Sequence, residues 1–372
     1  MLIGFIVNPV AGMGGKVGLK GTDGVLKEAK EKGAVPVAPH RAEEFLQALK
    51  ARLGDYHVKL LCSPMEMGAK EAGNAGFAFQ LLPMRVGEET SSNDTKQAVM
   101  LLNEAKVDLI VFVGGDGTAR DILDAIQSDE APPVLGVPSG VKMYSGIFAI
   151  NPHDAAEAVV AFLEKHAQVT DFEIMDADEV AIRNDVFDVR LYGCLKGLSV
   201  PALIQGSKEV SPSTVNEQEA QAAIAKYVVE EMPKDATLIL GPGTTVGRIA
   251  QALGVKKTLL GVDVYHPGEI ELDVDEKTLL AQETDWNKTW IILSPIGHQG
   301  ILLGRGNQQI SPEIVKRVGK RHILVVATIN KLQGMGTNSF RVDTGDEEAD
   351  SLMRGTILVV TGYKEGVTVP VA

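Results

Sequence analysis

A two-domain α/β protein is the fold class this sequence predicts, and three observations predict it. The length of 372 residues suits two domains of ordinary size. Through the first 165 residues, apolar β-branched runs alternate with stretches of helical period, the pattern of a parallel sheet with helices on both faces. Three apolar runs end in glycine-rich loops.

Leu2–Val7 is the first strand, ending at Asn8-Pro9; no basic segment precedes it, so it does not read as a signal peptide. Ala42–Leu53 sets Phe45, Leu46, Leu49 and Leu53 on one helical face. Lys59–Cys62 reads as a strand, and Asn93–Ala105 as a helix with Ser92 or Asn93 to cap it. Val107–Val113 is a near-continuous apolar run suited to a buried parallel strand. Helix Thr118–Gln127, strand Val134–Val137 and helix Asp154–Lys165 follow.

From about Thr170 the texture changes. Short strands are predicted at Val180–Ile182 and Val186–Leu191, then helix Asn216–Glu231, strand Ala236–Leu240, helix Val246–Leu253 and strand Thr258–Val264. Strands Thr289–Leu293, Ile323–Ala327 and Thr356–Thr361 come later, with helix Pro312–Val318 between the first two. Asp343–Asp350 reads as a solvated acidic segment. The expected division is residues 1–150 and 151–372, with the C-terminal segment left free to return to the first domain.

Composition narrows the function classes. A net charge of −13 repels nucleic acid and anionic membranes, and 5% aromatic residues offer no stacking platform for single strands. Cys62 and Cys194 form no CxxC, which argues against a zinc ribbon or a disulfide scaffold and for a reducing, cytoplasmic setting. Cys194 is expected to be a small core residue. The longest uncharged stretch, Thr289–Gly304, is interrupted by Pro295, Gly297, His298 and Gly300, so no spanning helix is expected. HExxH and GxSxG motifs and metal-spaced histidine pairs are missing from the sequence. The expectation is a soluble homo-oligomer that works on small molecules, with neither nucleic acid nor membrane as partner.

The sharpest loop is Gly114-Gly115-Asp116-Gly117-Thr118, between the Val107–Val113 strand and a helix carrying Arg120. Glycines at a strand's carboxyl end admit a ligand close to the backbone, and the helix N-terminus offers free N–H groups to phosphate. A carboxylate is out of place beside phosphate unless it holds Mg²⁺ or takes a proton from an attacking hydroxyl. The bland alternative is an Asp capping an ordinary turn. Asn8-Pro9-Val10-Ala11-Gly12-Met13-Gly14-Gly15-Lys16 fits neither the P-loop nor GxGxxG. Its Lys16 could neutralise a polyphosphate, or the segment could be a flexible surface loop. Gly241-Pro242-Gly243-Thr244-Thr245 could likewise be a ligand loop or a βα turn with a threonine cap.

GGDGT after an apolar strand resembles the superfamily of NAD kinases, diacylglycerol and sphingosine kinases and, more distantly, phosphofructokinases. Asn8-Pro9…Gly12…Gly14-Gly15 resembles its opening loop, and Leu135-Gly136-Val137-Pro138-Ser139-Gly140 the strand after GGDGT. Asp176-Ala177-Asp178-Glu179-Val180 is similar to the NAD kinase Asn-Glu motif with Asp178 in place of Asn, and Gly243-Thr244-Thr245 to the later Gly-Ser-Thr motif. The whole looks most like the ATP-NAD kinase-like branch that includes the acetoin-catabolism X-type proteins.

The resemblance implies a Rossmann-like first domain, a more β-rich mixed second domain and a site in the cleft between them. It implies an Mg²⁺-dependent transfer of phosphate from ATP to a hydroxyl of NAD. Asp116 would be the catalytic residue and a metal ligand, with Asn8, Gly12, Gly14, Gly15, Lys16, Gly114, Gly115, Gly117, Thr118 and Arg120 around the phosphates. Asp178 and Glu179 would contact the acceptor, and Gly243, Thr244 and Thr245 would help hold the dinucleotide. Two other readings stay open: a kinase or phosphohydrolase for another metabolite or polyphosphate, and a nucleotide-binding regulator without turnover.

Overall fold

The computed structural model describes residues 1–372 except 16, 18, 20–25, 88, 127–130, 141–142, 178–188, 201–202, 204–214, 283–284, 297–299 and 336. Two compact units divide the chain. One comprises residues 1–13, 21–181 and 187–208, the other residues 14–20, 182–186 and 209–372.

In the first unit, β1 (Leu2–Val7) feeds two layers: Ile3, Phe5 and Val7 enter one core and Ile6 the other. Such two-sided burial is why its sequence is a continuous apolar run. Parallel to β1 lie β2 (Lys59–Cys62) and β4 (Leu109–Gly114), extended by β3 (Phe79–Leu81) beyond β2 and β5 (Val134–Pro138) beyond β4. The antiparallel pair β6 (Gln168–Ala177) and β7 (Val189–Ser199) completes the order β3-β2-β1-β4-β5-β7-β6. Because β7 joins the sheet at β5, with Val134 beside Gly197, the unit runs past the change of texture near Thr170.

Its helices are α1 (Leu26–Glu31), α2 (Ala38–Arg52), α3 (Ala69–Asn74), α4 (Ser92–Glu104), α5 (Asp116–Ala125) and α6 (Pro152–Leu163). Phe45, Leu46 and Leu49 of α2 and Ala155 and Val159 of α6 pack with Phe5 and Val111 on one sheet face. Leu102 of α4 and Ile122 of α5 pack with Ile110 and Phe112 on the other. α4 is opened by a capping box between Ser91 and Asp94, and α5 starts at Asp116, before Thr118, because Gly115 is its extended N-cap.

The second unit contains α7 (Val215–Glu231), β8 (Thr237–Leu240), α8 (Thr244–Ala252), β9 (Asp263–His266), β10 (Glu269–Glu271), α9 (Glu276–Gln282) and β11 (Thr289–Leu293). After these come β12 (Ile301–Leu303), α10 (Pro312–Val318), β13 (Ile323–Val326), α11 (Ile329–Gln333), β14 (Arg341–Val342), α12 (Glu347–Met353), β15 (Gly355–Gly362) and β16 (Glu365–Val371). The sheet order is β10-β9-β8-β11-β13-β15-β16, and its four central strands β8, β11, β13 and β15 are parallel. The α7 and α8 helices cover the face of Leu238, Leu240 and Ile292; α9, α10 and α12 cover that of Ile239, Ile291 and Leu293. This unit is therefore also wound on both faces, around a mixed sheet.

Several local expectations change. The strand expected from Thr258 starts only at Asp263, because Thr258 turns inward and gives its N–H and Oγ1 to the buried Asp263 carboxylate at 2.9 and 3.0 Å. Lys257 lies 3.4 Å from the same carboxylate, whose pKa is nonetheless raised by burial. The acidic segment Asp343–Asp350 runs into α12, where Asp346 caps the Ala349 N–H at 2.9 Å and Asp350 accepts from Thr344. Cys194 is exposed, since alternation along β7 turns Leu195 inward and Cys194 outward. The expected strand Val180–Ile182 and the start of Val186–Leu191 lie outside the described residues. Among the described residues no helix is long and apolar enough to cross a membrane.

Glu71 in α3 is 1% exposed, and its Oε2 has no hydrogen-bond partner. Burial pushes its carboxyl from 4.5 up to about 7. A folded value above the unfolded one means that stability present below pH 4.5 is lost as pH rises through 7. Glu71→Gln should flatten that loss. Melting temperatures of both proteins between pH 5 and pH 8 check this, and parallel curves would reject it.

Candidate functional site

In the first unit, β1 leads toward α2 on one sheet face and β4 leads into α5 on the other. The crevice beyond their adjoining carboxyl ends is where the winding reverses, the place open α/β sheets hold ligands. Two glycine loops close on each other there. The Asn8 N–H donates to the Val113 carbonyl at 2.9 Å, and its Nδ2 donates to Thr118 Oγ1 at 3.0 Å. Gly12 has φ +80°, and a Cβ on it would fall 1.9 Å from the Ser139 carbonyl oxygen. Only glycine lets this loop meet the turn after β5.

Gly114 is constrained by its own loop: a Cβ would lie 2.5 Å from Thr118 Oγ1. Its carbonyl accepts from the Ser139 N–H at 3.0 Å, and a Cβ on Gly140 would come 3.5 Å from the Gly115 Cα. Asn8, Gly12, Gly114, Gly115 and Thr118 are thus brought together, with Thr118 buried against the strand ends.

Asp116 opens α5, with Gly117 beside it in the first turn. Its Oδ2 accepts from the Tyr144 N–H at 2.6 Å and its Oδ1 from the Ser145 N–H at 3.0 Å. Both oxygens are therefore held in a fixed orientation. Tyr144 is buried, and that burial, with the Asp116 charge, pushes its phenol well above the usual value. The segment that orients Asp116 was not among the residues singled out from sequence; its one signal was the Pro138-Ser139-Gly140 turn ahead of it. Arg120 sits 5.9 Å from the Tyr192 ring of β7.

The other expected site residues are placed differently. Gly14 and Gly15 are buried and group with the second unit, where the Gly14 carbonyl accepts from Leu19 at 2.9 Å. Lys16, Asp178 and Glu179 lie outside the described residues. Gly243 has φ +112° and is the N-cap of α8. Exposed Thr244 accepts from Gln221 at 3.3 Å, and Thr245 is buried.

The second unit repeats the crevice: β8 leads to α8 on one face, and its parallel neighbour β11 leads on to α10 on the other. The Gly241 N–H donates to the Ile292 carbonyl at 2.9 Å, and Glu217 Oε1 accepts from Thr328 at 2.8 Å and Gln221 at 3.4 Å. Lys331 Nζ donates to Ser294 Oγ at 2.9 Å. Desolvation, partly offset by Glu217, pushes this lysine down to about 8. Neither Ser294 nor Lys331 stands in a motif that the sequence would betray.

Among the described residues no cluster of three or more His, Cys, Asp or Glu could hold a metal. Asp116 brings one oriented carboxylate to the first crevice. That suits Mg²⁺, which takes one or two protein carboxylates and completes its shell from phosphates and water.

Two family models match the chain: the ATP-NAD kinase N-terminal domain over residues 3–167 and the ATP-NAD kinase C-terminal domain over residues 234–371. Among solved structures, a diacylglycerol kinase from Bacillus anthracis str. Sterne is 18% identical over 48% of this chain and 47% of that one, with a TM-score of 0.24. An NAD kinase from Archaeoglobus fulgidus in complex with ATP is 18% identical over 48% and 43%, with a TM-score of 0.19. The chain matches less than half the length of each. No curated protein matches it. With the N- and C-terminal models matched in order across most of its length, the chain belongs to the ATP-NAD kinase family.

Proposed function

We propose that the protein is an Mg²⁺-dependent kinase that moves the terminal phosphoryl group of ATP onto a hydroxyl of NAD, forming NADP in the cytoplasm. The observation that carries this reading is Asp116, fixed by two backbone N–H groups at the start of α5 beside two closed glycine loops. Membership of the family supports the reaction class.

In this reading the N–H groups at the α5 N-terminus face the donor phosphates, and Asn8, Gly12, Gly114, Gly115, Gly117 and Thr118 shape the loop around them. Gly14, Gly15, Lys16 and Arg120 are assigned to the donor, Asp178, Glu179 and Gly243–Thr245 to the acceptor. The acceptor oxygen bonds to the γ-phosphorus, the bond from that phosphorus to the β–γ bridging oxygen breaks, and ADP leaves. Asp116 orients the hydroxyl and receives its proton. Mg²⁺, when bound, supplies neutralisation of charge on the phosphates.

Incubation with ATP, Mg²⁺ and NAD, with NADP read by a coupled dehydrogenase, tests this directly. NADP formation is expected. ATP consumption without NADP would move the assignment to another acceptor or to hydrolysis, and nucleotide binding without consumption would move it to a regulator.

A further inference from the structure

The backbone that orients Asp116 is itself held from two sides, all within the first unit. On one side residues 147–149 lie along β5: the Gly136 N–H donates to the Ile147 carbonyl at 3.0 Å, and the Ala149 N–H to the Gly136 carbonyl at 2.9 Å. On the other side the Gly146 N–H donates to the Glu173 carbonyl of β6 at 2.9 Å. Ser145 adds a side-chain tie to the same strand. Its Oγ accepts from the Met175 N–H at 2.9 Å and lies 3.5 Å from the Met175 carbonyl oxygen. Its own N–H meets Asp116 Oδ1 at 3.0 Å. A single residue, 0% exposed, therefore joins the carboxylate to β6.

The tie falls at an irregular step of the strand. The β6–β7 register shifts between Ile174 and Met175, and such shifts bend a strand and re-aim the residues that follow. β6 ends at Ala177, and Asp178 and Glu179 come next in the chain. From Met175 to Asp178 is three residues, about 10 Å of extended chain. Transfer between bound groups depends on their alignment, and a misplacement of about 1 Å caused far from the chemistry can cost ~10²-fold in rate.

We propose that Ser145 is a positioning residue of the kinase site: its N–H fixes the Asp116 carboxylate, and its hydroxyl pins the step in β6 that leads to Asp178 and Glu179. The proton-accepting carboxylate and the acceptor residues thereby keep one spacing. Ser145 acts only through these groups and, being buried, does not touch the nucleotide. The proposal rests on the assignment of Asp178 and Glu179 to the acceptor.

Steady-state kinetics on the full chain, with NAD and ATP varied separately, test it. Ser145→Ala keeps the N–H and removes the tie. It should lower kcat and raise the KM for NAD by about tenfold each, while the KM for ATP changes by less than about twofold. Ser145→Thr keeps a hydroxyl and should restore both values. Ser63→Ala is the control: Ser63 is also 0% exposed, but its Oγ has no hydrogen-bond partner among the described residues, so neither value should move. A smaller folded fraction lowers kcat and leaves both KM values alone. That pattern in Ser145→Ala, an equal rise in both KM values, or unchanged kinetics would overturn the proposal while leaving the kinase assignment in place. No NADP from the unsubstituted protein would overturn the acceptor assignment, and the role of Ser145 with it. Should Ser145→Thr fold poorly, the KM split in Ser145→Ala decides. Should the alanine variant fold poorly, Ser145→Cys, close in shape but weak in hydrogen bonding, takes its place.

Discussion

Asp116→Asn should lower turnover by ~10²-fold or more, the range for loss of a positioned base, while ATP affinity changes by only a few-fold. The substitution also carries a structural cost that its near-identical shape conceals. Asp116 accepts from two backbone N–H groups, one on each oxygen. Asparagine has one carbonyl oxygen, so its amide NH₂ must face the other N–H, donor against donor. Leaving that partly buried N–H unmet costs about 1–3 kcal/mol, so a lower melting temperature is expected beside the lower turnover. Rates measured where both proteins are folded, with ATP affinity from calorimetry, separate the two effects. Turnover equal to that of the unsubstituted enzyme would remove Asp116 from the chemistry and leave it the role of pinning residues 144 and 145.

Gly12→Ala is the second large effect. Its φ of +80° disfavours any side chain by about 1–2 kcal/mol. The added Cβ would also meet the Ser139 carbonyl oxygen at 1.9 Å, and a backbone atom cannot swing aside as a side-chain tip can. The first loop must open or the turn after β5 must shift, at a total cost on the order of 3 kcal/mol or more. Gly33 supplies the control: its φ is +82°, and nothing lies within 4 Å of its would-be Cβ. Gly33→Ala should show only the backbone term in urea denaturation. Equal losses for the two variants would mean that closure of the loop on Ser139 contributes nothing.

The strands that frame the first crevice were legible because each is buried on both faces, which forces the unbroken apolar runs of Leu2–Val7 and Leu109–Val113. Asp116 was legible too, because a carboxylate among glycines after such a strand contradicts simple phosphate binding. Its partners were not, since Tyr144 and Ser145 act through backbone N–H groups that any residue would provide. Gly114 shows a subtler limit: its spacing suggests room for a ligand, yet the space its Cβ would need is filled by Thr118. In the second unit the motif around Gly243 could be seen, but not its neighbours. Ser294 and Lys331 meet only through the order of parallel strands, and sequence spacing does not encode that order.

The division of the chain has its own consequence. The polypeptide passes from one unit to the other between residues 13 and 14, 20 and 21, 181 and 182, 186 and 187, and 208 and 209. The halves are interleaved along the chain, and no single cut yields either one intact. A fragment ending at residue 208 would keep the whole first sheet yet also carry two short stretches, 14–20 and 182–186, that group with the second unit.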